Sequence, residues 1–423
     1  MKRIMTLAAM FAAVAMTFSA CQPEDKPSNE GENNGQENVD PGQGDNSGNN
    51  GNTGNNGDTG TTTPPADDLA PEVKDGDVIL ATNEWVEKFL TDVQYPTHDY
   101  SYSSLKSWAD ENGISVSPCT TIATDKPQVY TIRWAAEEAD GEITAKLWED
   151  TWSREWTLSA GTRYLEISNL CPNTHYCFEV KAGEKLLTEG EFDVTGKCRQ
   201  MFFKTKQRNT RDIGGWMTES GKRVRYRMIY RGGRLYDYHL SKSGRADLVA
   251  EGIRGQLDLR GEDDVLSESS LIGIVEDPIF CAPVIEEGYI WLLRDDQEKM
   301  RQCMEFIMDC VADEVPMIYH CSLGRDRTGT VTMIILGLLG VPEGDISQEY
   351  ELTQFAPHGY ATSDNEKTKM YRTVDYKEAA NYIWDNFVDE SAGETFADGV
   401  EKYLLSIGIT QEDIDKFREN MLK

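Results

Sequence analysis

Cys321 and Arg327, with five residues between them, form the pattern of clearest chemical meaning in this chain. The segment reads His320-Cys-Ser-Leu-Gly-Arg-Asp-Arg-Thr-Gly329. It follows a short apolar run, Val315 to His320, that is typical of a buried strand, and precedes apolar residues at helical spacing. A loop of this length between a strand and a helix can curl so that its backbone N–H groups point inward and bind an anion. The spacing therefore predicts a phosphate-binding loop with a cysteine at its base.

The residue types in this loop suit phosphate chemistry. Gly324 permits the tight backbone path, and Arg327 supplies a planar, permanently charged fork for two phosphoryl oxygens. The same positive field lowers the pKa of Cys321, which favours the nucleophilic thiolate. Thr328 is placed to donate a hydrogen bond to that thiolate when it departs. We expect the positions around the phosphate to be Ser322, Leu323, Gly324, Arg325, Asp326 and Arg327.

The alternative for this segment is a buried structural cysteine followed by an arginine-rich turn. Such a cysteine would not require a glycine, an arginine, a threonine and a second glycine all at these offsets. We therefore interpret Cys321 as the nucleophile of a two-step hydrolysis. It takes the phosphoryl group while an acid protonates the leaving oxygen, and water then hydrolyses the phosphocysteine.

The loop resembles that of the protein tyrosine phosphatase superfamily, and other motifs narrow the resemblance. They look like successive motifs of the bacterial tyrosine/lipid phosphatase family, whose loop reads His-Cys-x-x-Gly-Lys-Asp-Arg-Thr-Gly. This chain has Arg325 where that family usually has lysine. The resemblance covers roughly residues 205–423. The further motifs are Asn209–Trp216, Ile229–Leu235, Leu257–Arg260 and Glu349–Thr353.

This resemblance implies an α/β phosphatase domain over residues 205–423, with a central, mostly parallel sheet and helices on both faces. It implies hydrolysis of phosphotyrosine, often together with phosphoserine, phosphothreonine or phosphoinositides, and no metal or other cofactor. Arg211 and Asp212 are interpreted as a structural pair that braces the active-site loop. Arg231 and Arg260 are interpreted in the same way as scaffold charges.

Two other functions stay open at this point. A cationic Arg325 suits a highly phosphorylated ring, so an inositol phosphate or phosphoinositide phosphatase is the alternative enzyme. A surface lipoprotein that only recognises phosphate is the alternative of another class. It predicts a substituted cysteine or arginine in the loop, and both residues are intact here. The expected partner is accordingly a phosphorylated protein or an inositol phosphate.

The general acid that protonates the leaving oxygen is the least defined part of the predicted site. Asp326 is the first choice, because it lies inside the loop beside Arg327. Glu286, with Glu287 next to it, is the second, because both follow a strand-like run. Asp258 is the third, since its position in a strand indicates a hydrogen-bonding scaffold instead.

The N-terminus indicates export and a lipid anchor. A positively charged start and a short apolar stretch lead to Phe18-Ser-Ala-Cys21, which resembles a bacterial lipobox. We expect a lipoprotein signal peptide over residues 1–20 and acylation of Cys21. The lipid would tether the protein to a bacterial membrane, with the outer membrane as the first choice, on its periplasmic or surface-exposed side. The alternative is an ordinary secretory signal with an incidental cysteine. Residues 21–67 are rich in Gly and Asn and are predicted to be a flexible linker.

Two further regions precede the phosphatase-like part. Residues 68–113 are predicted to be a helical N-terminal segment, with Asn83 as a helix cap. Residues 114–204 carry strand patterns between turn residues. Within them, Leu170-Cys-Pro-Asn-Thr-His-Tyr176 looks like the tyrosine corner of a fibronectin type III domain. The resemblance implies an all-β sandwich that acts as a spacer or adhesion module.

Composition restricts the partners. The formal charge of −31 over 423 residues argues against nucleic acid, so membrane contact is expected through the lipid anchor only. Among the nine cysteines, Cys171 and Cys177 could form a disulfide. The histidines outside the loop, His175 among them, have no partners at catalytic spacing in the sequence and are interpreted as surface or core residues. The sequence predicts no clustered metal site.

Overall fold

The predicted signal peptide, Cys21 and the linker over residues 21–67 lie outside the described residues. The described residues all belong to one compact unit. Among them, no helix combines the length and the apolarity needed to cross a bilayer. The computed structural model describes residues 70–95, 108–109, 111–113, 125–135, 141–203, 207–235, 240–356 and 372–423.

The N-terminal part of the described chain consists of two β-sheets that share one hydrophobic core. Its strands are β1 (Asp77–Leu80), β2 (Tyr130–Arg133), β3 (Ile143–Glu149), β4 (Trp152–Leu158), β5 (Tyr164–Ile167), β6 (Thr174–Ala182) and β7 (Lys185–Thr195). One sheet has the order β1-β7-β6-β3-β4, and β2 pairs with β5. Ile143, Ala145 and Leu147 of β3 are buried in the shared core, as the alternation of a half-buried strand requires. This part is all-β; its kinship with fibronectin type III domains stays a prediction.

The segment over residues 68–113 differs from the helical segment that the sequence predicts. Strand β1 pairs parallel with β7, so it belongs to the sandwich. A four-residue strand is too short to show a periodicity that could be recognised in advance. Helix α1 (Glu84–Asp92) does form, and the Asn83 side chain accepts a hydrogen bond from the Val86 N–H at 2.9 Å. However, its buried Phe89 joins the core of the C-terminal part, so the segment is not a separate unit.

The C-terminal part is built on a mixed sheet. Its strands are β8 (Arg199–Gln200), β9 (Arg211–Asp212), β10 (Ile229–Gly232), β11 (Gly255–Asp258), β12 (Ile279–Cys281) and β13 (Met317–His320). The order is β12-β11-β13-β10-β9-β8; β12 to β10 are parallel, and β9 and β8 are antiparallel. Strand β8 lies before the predicted domain start at residue 205 and pairs with β9 of this sheet.

Helices cover both faces of this sheet. Met317 and Tyr319 of β13 face a core that includes α4 (Gln297–Ala312) and α5 (Asp326–Leu338), whereas Ile318 faces a second core that includes Leu248 of α2 (Lys242–Ala250). This arrangement follows from the alternation of side chains along a strand. The described helices of this part are α2 (Lys242–Ala250), α3 (Tyr289–Arg294), α4 (Gln297–Ala312), α5 (Asp326–Leu338), α6 (Glu343–Glu351), α7 (Arg372–Phe387), α8 (Phe396–Ser406) and α9 (Gln411–Met421).

Charged groups join the sandwich to the C-terminal part. The Tyr176 hydroxyl accepts hydrogen bonds from the Cys171 N–H at 3.0 Å and from Arg227 Nη2 at 3.1 Å. Arg199 of β8 is fully buried and donates to the Asn169 carbonyl of the sandwich at 2.6 Å, and Arg154 of β4 pairs with Asp247 of the C-terminal part at 2.7 Å. Within the C-terminal part, Arg199 also pairs with Asp212 at 2.9 Å and with Glu251 at 2.8 Å. Removing one partner of such a buried pair leaves an uncompensated charge, which typically costs about 3–5 kcal/mol. The two parts are therefore held together by specific contacts.

Candidate active site

Cys321 lies directly after β13, at the carboxyl ends of the parallel strands, and directly before the turn that leads into α5. Its side chain is buried. Burial raises the pKa of the thiol. The Arg327 guanidinium and the hydroxyl and amide of Thr328 more than offset that effect and the charge of Asp326, so the pKa of Cys321 ends below its ordinary value. A lowered pKa favours the thiolate, the nucleophilic form of cysteine, and distinguishes Cys321 from an inert core thiol.

The backbone of the loop offers several unused donors. Among the described residues, the N–H groups of five loop positions donate to no acceptor. Unpaired backbone donors next to a helix N-terminus form a site for an anion. The five positions are Ser322, Leu323, Gly324, Arg325 and Arg327.

Gly324 is required by the path of this loop. Its φ is +69°, in the left-handed region that favours glycine. A Cβ atom at this position would lie 2.5 Å from the carbonyl carbon of Gly232. Any other residue would therefore push the loop away from the end of β10.

Arg327 and Thr328 flank the thiol. Arg327 is half-buried, and its Nη1 donates to the Ile285 carbonyl at 2.7 Å, which fixes the guanidinium while Nε and Nη2 make no hydrogen bond to the described residues. The Thr328 hydroxyl is buried and has no nitrogen or oxygen partner among the described residues. It lowers the pKa of Cys321 from its position beside the sulfur. This geometry fits the roles that the sequence predicts for both residues.

A buried set of polar side chains braces the loop from behind. The Gly324 carbonyl accepts hydrogen bonds from Asn209 Nδ2 at 2.7 Å and from Arg231 Nη2. Glu349 pairs with Arg231 at 2.8 Å and with Arg211 at 2.8 Å. These contacts hold the loop carbonyl in place, so that the free amides keep their arrangement.

The predicted pair between Arg211 and Asp212 is wrong. The two residues are neighbours on β9, and successive side chains of a strand point to opposite faces. Arg211 consequently pairs with Glu349, and Asp212 pairs with Arg199. Sequence reasoning missed Glu349 as the partner, although this residue opens the quoted Glu349–Thr353 motif. The available signal was an acidic residue within one motif, together with two arginines in other motifs that need a negatively charged partner.

The three candidate acids lie in different surroundings. Asp326 Oδ1 accepts from the Tyr289 hydroxyl at 2.5 Å and from Arg325 Nε at 2.8 Å, and its charge acts on the thiol of Cys321. Glu286 follows Ile285, the residue whose carbonyl binds Arg327. Its side chain is exposed and accepts a hydrogen bond from the Glu262 N–H at 2.7 Å.

Asp258, the third candidate acid, is fully buried. It forms an ion pair with Arg260 at 2.7 Å. The position matches its predicted role as a hydrogen-bonding scaffold, and it matches the scaffold role predicted for Arg260.

Arg325 lies behind the loop and not in front of it. Only 3% of the residue is exposed, and its guanidinium lies near Asp326, Tyr289 and Glu351. Burial raises the pKa of Glu351 to about 8, although Arg325 opposes this shift. The expectation that the Arg325 cation meets a substrate is wrong in this structure, because the side chain is enclosed by protein; its backbone N–H remains available.

The remaining predicted loop residues contact their neighbours. Ser322 Oγ lies 3.3 Å from Asp264 Oδ2, and the Leu323 carbonyl accepts from Asn209 Nδ2 at 3.2 Å. Cys171 and Cys177 are both free, so the structure contains no disulfide between them.

His175 is an exposed surface residue, as the sequence predicts, but it does have carboxylate partners. His175 lies 2.9 Å from Asp193 and 3.5 Å from Glu191, because β6 and β7 pair in a register that sequence spacing does not reveal.

The C-terminal part of the chain is similar to known tyrosine phosphatases. A family model described as "Tyrosine phosphatase family" matches residues 204–423. A tyrosine-protein phosphatase of Nostoc commune is 24% identical over 212 residues, which cover 42% of this chain and 69% of that protein. A protein of Cupriavidus necator, provisionally named a tyrosine-protein phosphatase, is 25% identical over 165 residues, covering 34% of this chain and 59% of its own length.

Solved structures share only a distant likeness with the whole chain. TpbA of P. aeruginosa has 12% sequence identity and a TM-score of 0.26, covering 44% of this chain and 91% of that one. The core catalytic domain of the PP-IP phosphatase Siw14 from S. cerevisiae, in complex with citrate, has 14% identity and a TM-score of 0.23, covering 35% and 88%.

Proposed function

Because this chain belongs to the tyrosine phosphatase family, and is therefore a phosphatase, we propose that it is a lipid-anchored enzyme that hydrolyses phosphotyrosine through a phosphocysteine. The observation that carries this proposal is the buried Cys321 thiol with its lowered pKa, directly before a loop in which five amide N–H groups have no acceptor among the described residues. Dual specificity toward phosphoserine and phosphothreonine is part of the proposal.

The proposed reaction has two displacement steps. In the first, the Cys321 thiolate forms an S–P bond while the P–O ester bond breaks, and an acid gives its proton to the leaving oxygen. Arg327 and the loop amides stabilise the charge on the phosphoryl oxygens. In the second, water attacks phosphorus, the S–P bond breaks and the carboxylate takes a proton from the water. Phosphate then leaves and the thiolate is restored.

A substrate panel tests the proposed specificity. We expect kcat/KM to be highest for a phosphotyrosine peptide, lower for the same peptide with phosphoserine, and lowest for inositol phosphates. The buried Arg325 side chain supports this order, because it removes the cation that a highly phosphorylated ring would need. Preferred hydrolysis of inositol phosphates would replace the proposal with the alternative enzyme. Binding of all three without hydrolysis would indicate a phosphate-recognising surface protein.

We propose Asp326 as the general acid and predict a selective defect in Asp326→Asn. Loss of the acid should slow hydrolysis of a phosphoserine peptide by about 10²–10⁴, but slow an activated aryl phosphate far less. The phenolate of the aryl phosphate leaves without a proton, whereas the serine alkoxide does not. The alkaline limb of the pH–rate profile should also flatten, since no acid remains to lose its proton. Steady-state kinetics with both substrates across pH provide the measurement.

Two variants separate this role from a structural one. Tyr289→Phe removes one hydrogen bond to Asp326 and keeps the carboxyl group, so it should slow both substrates to a similar, smaller extent. Glu286→Gln should leave the ratio between the substrates unchanged. Equal losses on both substrates in Asp326→Asn, with the selective loss in Glu286→Gln, would transfer the role of acid to Glu286.

We also propose that Cys21 is acylated and anchors the protein to a bacterial membrane, with the outer membrane as the first choice. Wild-type protein should incorporate a fatty-acid analogue and partition with membranes, whereas Cys21→Ala should stay unlabelled and be released or remain unprocessed. Metabolic labelling and fractionation measure both. A soluble, unlabelled mature wild type would contradict the anchor.

The linker over residues 21–67 and the fibronectin type III-like sandwich complete this proposal. The linker composition cannot bury enough apolar surface to fold alone, so it supplies reach from the membrane. The contacts of Arg199 with the Asn169 carbonyl and of Tyr176 with Arg227 support a sandwich that holds the catalytic part in a fixed orientation. The expected arrangement is a periplasmic or surface-exposed catalytic site at the end of a tether.

A further inference from the structure

Four side chains meet on the outer face of the sandwich, far along the chain from the loop of Cys321. His175 and Cys177 lie two residues apart on β6, and the register pairs them with Asp193 and Glu191 of β7. Residues two apart on a strand share a face, and directly paired residues on neighbouring strands have close Cβ atoms. The intervening Tyr176 points the other way, into the core of the sandwich.

The imidazole of His175 has two distinct environments. Its Nδ1 lies 2.9 Å from Asp193 Oδ1. Its Nε2 lies 3.5 Å from Glu191 Oε2 and 4.0 Å from Cys177 Sγ. One nitrogen, one sulfur and one carboxylate oxygen are thus all within 4.8 Å of one another.

These separations suit a tetrahedral metal ion. Zinc binds nitrogen, oxygen and sulfur at about 2.0–2.3 Å, which places tetrahedral ligand atoms roughly 3.4–3.6 Å apart. The observed 3.5 Å and 4.0 Å, and a separation of at most 4.8 Å between the sulfur and the Glu191 carboxylate, require these side chains to move toward the ion when it binds. Asp193 stands where an orienting partner is expected, because a metal-bound histidine usually donates its other N–H to a carboxylate.

We propose that His175 Nε2, Cys177 Sγ and Glu191 Oε2 bind a zinc ion, that Asp193 orients the imidazole, and that water completes the tetrahedron. On binding, the Cys177 S–H gives its proton to the solvent and the thiolate becomes the ligand, and any proton on His175 Nε2 likewise goes to the solvent so that the neutral imidazole can bind. The ion would join β6 to β7 at the sandwich surface and raise the stability of the folded chain by linkage.

An ion pair alone does not explain the cluster. Contacts with carboxylates account for His175, Glu191 and Asp193, but they give the thiol no role. A divalent cation gives the sulfur a role, because it favours the thiolate as well as the carboxylates around it.

Metal titration of the whole mature chain tests the site. The titrations use a Cys321→Ser background, so that the catalytic thiolate cannot bind metal. We expect one zinc ion per chain, release of about one proton from the thiol on binding, and a higher melting temperature with zinc. Cobalt in place of zinc should give a sulfur-to-cobalt charge-transfer band.

Added variants identify the ligands. His175→Gln, Cys177→Ser and Glu191→Gln should each weaken zinc binding strongly, and Cys177→Ser should abolish the charge-transfer band. Asp193→Asn should weaken binding by about 10- to 100-fold, as expected for an orienting partner. Glu189→Gln, an exposed acid two residues before Glu191 on the same strand, is the matched control and should change nothing.

Two results would overturn the proposal. One is an unchanged zinc affinity in His175→Gln and Cys177→Ser, which would mean that metal binds elsewhere. The other is the absence of stoichiometric zinc binding in the Cys321→Ser chain, which would leave His175 as an ion-pair residue only. The catalytic proposal does not depend on either outcome.

Discussion

Cys321→Ser is expected to abolish turnover while leaving phosphate binding largely intact. The serine hydroxyl has a far higher pKa than a thiol, so the field that ionises Cys321 cannot ionise it. The loop amides and Arg327 do not depend on the sulfur, because Gly324 and Arg327 are held by their own partners. Activity toward an aryl phosphate and binding of inorganic phosphate, measured on the same preparation, separate the two effects.

Cys281→Ser is the matched control for this variant. Cys281 is a partly buried, free thiol on β12, so the same substitution there should leave turnover nearly unchanged. Near-normal turnover in Cys321→Ser would exclude the thiolate mechanism. Loss of phosphate binding together with turnover would mean that the sulfur also supports the loop.

Arg327→Lys should lower kcat by about 10²–10³, the usual cost of losing a donor that stabilises transition-state charge. A lysine keeps the charge but cannot bind two phosphoryl oxygens as a planar fork. In the arginine, Nη1 donates to the Ile285 carbonyl while Nε and Nη2 stay available for the phosphoryl group. The single ammonium of a lysine cannot make both sets of contacts in this geometry. The defect should appear with activated aryl phosphates and with phosphotyrosine peptides alike, because both proceed through the same charged phosphoryl group.

Arg294→Lys controls for the substitution itself, since Arg294 is an exposed partner of Asp295 on α3. Kinetics and thermal unfolding should be measured for both variants. A kcat for Arg327→Lys no lower than that of Arg294→Lys would contradict the role of the guanidinium. If a loss of thermal stability fully explained the loss of activity, Arg327 would have a structural role instead.

The loop was predictable because its information is local. A buried strand, Cys321, Gly324, Arg327 and a helix follow one another in the chain, so spacing alone determines which groups can surround an anion. The positive φ of Gly324 and its close approach to β10 are the structural counterpart of that local pattern. The helix cap at Asn83 was predictable for the same reason.

What the sequence could not reveal depends on pairing across distance. Glu349 neutralises Arg211 and Arg231 from more than a hundred positions away, and no spacing rule points to it. The burial of Arg325 follows from what packs behind the loop, not from its place beside Asp326.

Strand pairing explains the other differences. The union of β1 with β7 depends on pairing between remote segments of the chain. The meeting of His175 with Glu191 depends on the register between β6 and β7. Residue order fixes neither of them.

Trapping the covalent intermediate tests the central claim most directly. The enzyme would be mixed with a phosphotyrosine substrate, quenched in acid within its first turnovers and digested, and the peptides examined by mass spectrometry. We predict one phosphoryl group on the peptide that contains Cys321, at the sulfur, and none on that peptide in Cys321→Ser. Turnover with the phosphoryl group on another residue, or with no phosphorylated peptide in a quench that traps a known phosphocysteine enzyme, would contradict the mechanism.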